Sequence, residues 1–323
     1  MTEANPNWQR TAALFLGSQA LSMFGTMLVQ YAILWYITLN AKSGYMLMLM
    51  IVIGVLPMFF LSPFAGVWAD RYDRKKLIIL ADAMVALTTL ALAILLMLGV
   101  TGYWPFLAAS FLRAIGQGIQ MPAVSAFVPQ FTPKDKLMRV NGLLGTIQAV
   151  TMLVAPMAAG ALMTFLPIQT IFYIDVVTAL IAISIFLVFI RVPPHARASQ
   201  THSESYYTDI SRGIHYIRNH GYLIRFFSFM AMFMFLAAPV AFLSPLQVAR
   251  SFGEDVWRLT AIEVTFSLGM MIGGALIATW GGFRNRVHTM MLSSIICGLL
   301  TFGLGMVPWF SVYLVFMAIV GLS

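Results

Sequence analysis

Long apolar runs alternate with short polar segments along the whole chain. Runs of about 20 or more apolar residues are typical of transmembrane helices. The pattern predicts an all-α polytopic membrane protein with nine full transmembrane helices and part of a tenth. We place the nine near residues 11–39, 44–68, 77–100, 103–128, 139–164, 168–190, 222–249, 257–281 and 287–307, and the tenth from about Trp309.

Charged residues mark the loops between the runs. Residues 70–76 carry six charges between two apolar runs, which predicts a water-facing hairpin turn. Fourteen lysines and arginines fall in one alternating set of loops, and three fall in the other set. Because Lys and Arg collect in cytoplasmic loops, we expect a multi-pass protein of the cell membrane with its N-terminus in the cytoplasm.

Composition supports this class and excludes others. The 323 residues are 60% hydrophobic and 9% charged, and the mean hydropathy is +0.88. The net charge of +8 resides in loops rather than on a basic face, so we expect a lipid bilayer as partner and no nucleic acid. The single cysteine, Cys297, excludes an internal disulfide and a thiolate metal cluster. No phosphate-binding Gly-rich loop is present, so we expect no ATPase. The sequence also has no H-E-x-x-H and no G-x-S-x-G motif, so we expect no metal or cofactor and no enzyme activity.

The longest polar segment divides the chain into two parts. Residues 1–191 read as an N-terminal six-helix bundle, and residues 192–221 as a cytoplasmic linker with a short amphipathic helix. Residues 222–323 read as a second, incomplete bundle. A second set of six helices would need a length similar to the first, so we expect a chain shortened within that bundle. A true ten-helix protein is the alternative.

Two predicted helices carry polar residues on one face. Side chains three, four or seven positions apart share a helix face. We predict that these polar stripes line a substrate path, although helix–helix hydrogen bonding is the alternative. The path residues are Gln19, Thr26 and Gln30 of the first helix, and Arg113, Gln117 and Gln120 of the fourth.

A few ionisable residues lie inside predicted spans, where they are functional candidates by default. Arg113 is near the middle of its helix and needs a partner or water. Glu263 and Asp175 are candidate proton carriers together with Arg113, because burial favours the protonated form of a carboxyl; each acid could equally be a satisfied structural group. Asp82 follows Lys76 by six residues, and we expect it to bond the nearby loops.

A run of methionines and phenylalanines marks the seventh predicted helix. It extends over residues 226–235. Flexible methionine and large aromatic side chains suit an adaptable apolar pocket, but contact with lipid explains the same composition. Both readings stay open.

The loop after the second helix resembles the signature loop of the major facilitator superfamily. The matching residues are Gly66, Asp70, Arg71, Arg74 and Lys75, while Asp73 replaces a glycine of the usual pattern. This form of the loop is similar to that of the macrolide-efflux branch of drug exporters. Residues 111–116 and 263–274 resemble the fourth and eighth helices of that branch. The segment with Ala155, Pro156, Ala159 and Gly160 resembles the antiporter motif of the fifth helix, with alanines replacing two glycines.

The resemblance implies a two-bundle fold of twelve helices that works by alternating access. It implies proton-driven export of amphipathic small molecules of macrolide type, with the proton gradient in place of a cofactor, and we expect a monomer. The five loop residues would form a conformational clamp, in which Gly66 allows close helix approach. The clamp engages an eleventh helix in the family, so Asp70 is expected to make only local contacts in this chain.

Three alternatives stay open at this stage. A siderophore or metabolite exporter would share the superfamily's architecture. A membrane-embedded enzyme would need converging nucleophile and base or metal-ligating groups, and the sequence shows no such set. A channel would not need the two-half repeat. That repeat is suggested by the match of Trp280 and Arg286 to Trp68 and Arg74 at the same offset.

Overall fold

Ten α-helices dominate the part of the chain that the structure describes. The computed structural model describes residues 8–100, 102–190, 215–284 and 286–323. A short 3₁₀ turn, Lys134–Lys136, precedes the fifth helix. The helices are α1 Trp8–Ala41, α2 Gly44–Arg71, α3 Arg74–Met97, α4 Trp104–Phe131, α5 Leu137–Phe165, α6 Ile168–Val188, α7 Gly221–Ser251, α8 Val256–Trp280, α9 Arg286–Leu304 and α10 Phe310–Leu322.

Eight of these helices are long and apolar enough to cross a membrane by length and composition. The helix α4 has 28 residues but is not among the eight, and it carries Arg113, Gln117 and Gln120. The last helix, α10, has 13 residues and is a shorter apolar helix. The all-helical class is therefore confirmed, whereas the predicted count of nine full spans and part of a tenth is not.

The predicted loop at residues 69–76 is much shorter in the structure. The helix α2 continues through Arg71, and only Tyr72 and Asp73 separate it from α3. The side chain of Asp73 caps α3 by accepting hydrogen bonds from the backbone N–H groups of Lys75 and Lys76. An aspartate at this position satisfies donors that the first helical turn leaves unpaired, so α3 begins here rather than later.

The first six helices pack closely where small residues meet. A Cβ atom at Gly25 of α1 would lie 2.7 Å from the Asp175 carboxylate of α6. A Cβ at Gly116 of α4 would lie 3.2 Å from the Ala81 carbonyl of α3. Small residues let membrane helices approach in this way. These contacts bring α1, α3, α4 and α6 close enough for polar side chains to bond across them.

An aromatic cluster closes one end of this group of helices. Phe15 of α1 contacts Phe127 of α4 and Phe186 of α6, with ring centroids 5.6 Å and 5.9 Å apart. All three rings are fully buried. The cluster lies toward the α2–α3 loop, and we call this side of the molecule the basic end. The opposite side, which holds Lys42 and Glu254, is the far end.

The small residues of the antiporter-like motif face α8. Ala155, Pro156, Ala159 and Gly160 are all buried, and α5 continues through Pro156 as one helix. Gly160 lies against Thr260 of α8, which leaves no room for a Cβ atom between the two helices. This contact lies in the half of α5 and α8 nearer the far end.

The predicted linker lies almost wholly outside the described residues. Of residues 192–221, the structure describes 215–221, and 215–219 are helical. The amphipathic helix predicted around Ile210, Ile214 and Ile217 therefore stays a prediction.

We expect Gly160→Ala to destabilise the protein, because the new methyl group overlaps the Thr260 hydroxyl and lies 3.1 Å from Thr260 Cβ. Overpacking of this kind costs roughly 1–3 kcal/mol. The thermal unfolding midpoint of the purified protein in detergent measures the effect. Adding Thr260→Ala to the variant should recover much of the loss, since it removes the overlapping hydroxyl.

Gly142→Ala is the matched control, because a Cβ at Gly142 of the same helix meets nothing within 4 Å. That variant should unfold at or above the wild-type midpoint. Equal midpoints for the two alanine variants would contradict the close α5–α8 contact.

Candidate functional site

A cavity of about 360 Å³ lies between α1, α2, α4 and α5, toward the basic end. We call it the amide cavity because five side-chain amides line it: Gln19, Gln117, Gln120, Asn141 and Gln148. Four methionines and a few small or apolar residues complete the wall, and none of the lining residues is charged. The cavity therefore offers hydrogen-bonding groups beside flexible apolar surface. The methionines are Met23, Met27, Met58 and Met121.

A smaller pocket of about 120 Å³ adjoins the amide cavity at Gln117. It reaches Arg113 and is also lined by Gln30 of α1 and by Phe242 of α7; we call it the arginine pocket. Gln117 lines both spaces. With Thr26 on the wall of the amide cavity, all six residues of the predicted path lie at one space or the other.

Arg113 is held by a buried network of polar groups. Its guanidinium donates to an Asp175 carboxylate oxygen at 2.8 Å, and both side chains are 2–3% exposed. The same guanidinium nitrogen contacts the Thr89 hydroxyl, which donates to Asp175 at 2.8 Å. A second nitrogen donates to the Thr26 carbonyl of α1 at 2.9 Å. The pair thus connects four helices, α1, α3, α4 and α6.

Asp82 lies inside the helix group, and the expectation that it bonds the loops is wrong. It accepts hydrogen bonds from the Ser22 hydroxyl of α1 and the Gln120 amide of α4, both at 2.6 Å. The face of α3 that carries Asp82 points into the helix group, between these two donors. Ser22 lies three residues after Gln19 in α1, but its hydroxyl donates to Asp82, and the residue does not line the amide cavity.

Glu263 lies where α8 meets α1. The Tyr31 hydroxyl of α1 donates to its carboxylate at 3.4 Å. Glu263 also lines a third space of about 550 Å³, formed by α7, α8, α9 and α10, which we call the apolar cavity. Part of the methionine and phenylalanine run of α7 lines it, namely Phe229, Met230, Phe233 and Met234. Other members of that run, such as Phe235, are exposed on the helix surface.

The predicted clamp residues form two local sets of contacts. Arg74 is buried, contrary to the prediction of a fully water-facing turn. Its guanidinium donates to the carbonyls of Ala69 and Ala126 at 2.8 Å and 2.7 Å. These carbonyls bind two of its three nitrogens, and the third forms a long ion pair of 3.5 Å with Asp70. The side chain of Asp70 is otherwise exposed, as expected of a residue with local contacts only.

Lys75 contacts the end of α6. Its ammonium group donates to the Ile190 carbonyl at 2.7 Å, near the C-terminus of that helix. Cations stabilise helix C-termini, where carbonyls are unpaired. Arg71 is exposed at the end of α2, and a Cβ at Gly66 would meet nothing within 4 Å. The close helix approach implied at Gly66 is therefore not seen among the residues that the structure describes.

Contacts at the far end join the first six helices to α7 and α8. Lys42 forms an ion pair with Glu254. The Lys42 carbonyl also accepts a hydrogen bond from Arg250 at 2.7 Å. Together with the Gly160–Thr260 contact, these interactions close the far end, while the amide cavity lies toward the basic end.

Some residues of the site were missed in the sequence. Asn141, Gly145 and Gln148 of α5 line the amide cavity. They lie at positions i, i+4 and i+7, so the spacing rule that identified the stripes of α1 and α4 would have found them. The methionines carry no such signal, because methionine is equally common at lipid-facing positions. Within the described part of the chain, no group of three or more His, Cys, Asp or Glu is placed to hold a metal ion.

Known proteins resemble this chain along nearly all of its length. A family model described as Major Facilitator Superfamily matches residues 15–323. Macrolide efflux protein A of Streptococcus pyogenes is 28% identical over 319 residues, which is 98% of the chain and 78% of the relative. The protein of that name from Enterococcus faecalis is 29% identical over 280 residues, covering 86% of each. The solved nucleoside transporter NupG has the same fold, with a TM-score of 0.70 at 15% identity over 98% of this chain and 79% of NupG.

Breaking the Arg113–Asp175 pair should destabilise the protein strongly. Asp175→Asn leaves the guanidinium buried without its counter-charge, and removal of one partner of a buried pair costs roughly 3–5 kcal/mol. Replacing both residues with apolar ones, Arg113→Met with Asp175→Leu, should recover most of that loss. Thermal unfolding of the purified protein in detergent measures both effects.

The exposed pair of Lys42 and Glu254 is the control. Its side chains are 54% and 55% exposed, and exposed pairs contribute about 0–1 kcal/mol. Glu254→Gln should therefore change the midpoint little. An Asp175→Asn midpoint no lower than that of Glu254→Gln would contradict the structural role of the buried pair.

Proposed function

Because the chain belongs to the Major Facilitator Superfamily, we propose that it exports amphipathic small molecules of macrolide type in exchange for protons. It is a multi-pass membrane transporter by family, and its relatives are transporters rather than enzymes. The observation that carries the substrate class is the similarity to Macrolide efflux protein A, which extends over 98% of the chain. The proposed site is the amide cavity with the arginine pocket.

The chemistry of the amide cavity supports an amphipathic substrate. Its amides can donate to and accept from hydroxyl and carbonyl groups. Its methionines adapt their shape to an irregular apolar surface. A volume of about 360 Å³ lies in the range of small-molecule sites, about 300–1,000 Å³. Gln19, Thr26, Gln117 and Gln120 would contact the substrate there, and Gln30 and Arg113 would lie farther along its path.

The positive-inside rule supports an orientation with the basic end in the cytoplasm of the cell and the N-terminus on the same side. The cavity would then take its substrate from the cytoplasm or the inner leaflet. Residues 1–191 and 222–323 would act as two bundles joined by the linker 192–221. Export would follow when the far-end contacts open and the basic end closes.

The buried acids are the proposed proton carriers. Asp175 would exchange its proton through the Arg113 network, because any change of charge there alters bonds to four helices. Glu263 would carry a proton where the two bundles meet. The clamp residues Gly66, Asp70, Arg71, Arg74 and Lys75 would hold the basic end in its closed state. The motif residues Ala155, Pro156, Ala159 and Gly160 would let α5 and α8 move past each other.

The test is the uptake of a radiolabelled macrolide into everted membrane vesicles that contain the chain. We expect accumulation when a proton gradient is imposed, since everted vesicles present the basic end to the medium. Collapsing the gradient with a protonophore should reduce accumulation to the level of vesicles without the protein.

Asp135→Asn is the matched control, because Asp135 is exposed in the 3₁₀ turn and pairs only with its neighbour Lys136 among the described residues. It should accumulate the macrolide as the wild type does. Accumulation that persists without the gradient would contradict proton coupling. Absence of accumulation with an intact gradient would contradict the substrate class.

A further inference from the structure

Asp82 is a second buried carboxylate of the first six helices, and the proposed transport cycle does not use it. It is 4% exposed in the middle of the helix group. One of its oxygens accepts both hydrogen bonds, from Ser22 of α1 and from Gln120 of α4. A purely structural acceptor at this position would not need to be an acid, because an amide oxygen could accept the same two bonds.

The charge of Asp82 has no partner among the ion pairs of the described residues. The neighbouring acid Asp175 is neutralised by Arg113 at 2.8 Å. The charged residue that α4 places on this side is Arg113, which is already paired with Asp175. The charged residue of α6 is Asp175 itself, which carries the same charge as Asp82. The helix α1 presents only polar neutral groups, and the charged residues of α2 lie at its end, at Asp70 and Arg71. A buried carboxylate without a cation is costly, and a bound proton removes that cost.

Gln120 connects this acid to the amide cavity. Its amide nitrogen donates to Asp82, and the residue also lines the cavity wall. A primary amide has a donor side and an acceptor side. While Asp82 is ionised it binds the nitrogen, so the carbonyl oxygen of Gln120 is the group left for the cavity.

We propose that Asp82 is a proton-binding site that sets which side of the Gln120 amide faces the cavity. A hydronium ion of the cavity water gives up a proton: its O–H bond breaks, an O–H bond forms on the carboxylate, and a water molecule remains. The new O–H group then donates to the Gln120 carbonyl, and the amide turns its nitrogen toward the cavity. The cavity therefore presents an acceptor when Asp82 is ionised and a donor when it is protonated.

This switch gives one site that responds to both proton and substrate. Substrates with ammonium groups, which only donate hydrogen bonds, bind better to the acceptor-presenting state, so their binding disfavours the proton on Asp82. By linkage, protonation weakens their binding to the same extent. The substrate part of this inference rests on the proposed function of the cavity, whereas the proton site does not.

Infrared difference spectroscopy of the purified full chain tests the proton site without any substrate. As the pH is lowered, the wild type should gain the carbonyl-stretch band of a protonated carboxylic acid. Asp82→Asn should lose one component of that band, which Asp175→Asn and Glu263→Gln should retain. Asp135→Asn, an exposed acid, is the matched control and should also retain it. Persistence of the whole band in Asp82→Asn would overturn the proposal.

Gln120→Leu gives an independent variant if Asp82→Asn does not fold. Removing one of the two donors to the carboxylate should shift the titration of the band to higher pH. An unshifted titration would overturn the link between Asp82 and Gln120.

Binding of a radiolabelled macrolide completes the test. The wild type should bind more weakly as the Asp82 component of the band grows, and Asp82→Asn should lose this pH dependence, because a side-chain amide binds no proton in this pH range. Unchanged pH dependence in Asp82→Asn would overturn the switch. If the band titrates but the wild type binds no macrolide, the proposed substrate class is wrong, whereas the proton site at Asp82 is supported.

Discussion

The burial of Arg113 is the constraint on which the first six helices depend. A guanidinium inside a helix bundle needs a counter-charge and partners for its remaining donors. Asp175 supplies the charge, and Thr89 and the Thr26 carbonyl supply acceptors. These partners come from α6, α3 and α1, so the hydrogen bonds and counter-charge that Arg113 requires fix the packing of four helices. Glycines such as Gly25 and Gly116 allow the close approach that these bonds require.

The two ends of the molecule use different interactions. At the far end, close packing of Gly160 against Thr260 and exposed charges at Lys42 and Glu254 join α5 and α1 to α7 and α8. At the basic end, Arg74 and Lys75 bond backbone carbonyls within the first six helices. The exposed far-end charges are worth little energy, so in the proposed transport cycle these contacts would open and close. The buried network of Arg113 would keep the cavity wall intact during that cycle.

Sequence periodicity predicted the apolar helices, the polar stripes of α1 and α4 and the burial of Arg113, and the family indicated by the loop motif is confirmed. Periodicity does not show which residue of another helix bonds each polar side chain. Asp175 and Glu263 have similar depth in their helices, and only the packing of α6 decides that Asp175 meets Arg113. Asp82 was assigned to the loops because it follows Lys76 closely, whereas its inward direction depends on Ser22 and Gln120 of other helices. The loop itself was predicted too long, since the capping role of Asp73 was not considered.

The proposed transport cycle requires the basic and far ends to close alternately. Spin labels on Lys134→Cys and Arg284→Cys, in a chain with Cys297→Ser, report the opening of the basic end by double electron–electron resonance. Lys42→Glu turns the far-end attraction into repulsion, which for exposed charges shifts the populations by up to about fivefold. The account predicts that Lys42→Glu adds a shorter-distance population, and that Lys42→Glu with Glu254→Lys restores the longer one. A distance distribution that Lys42→Glu leaves unchanged, or that the charge swap fails to restore, would contradict it.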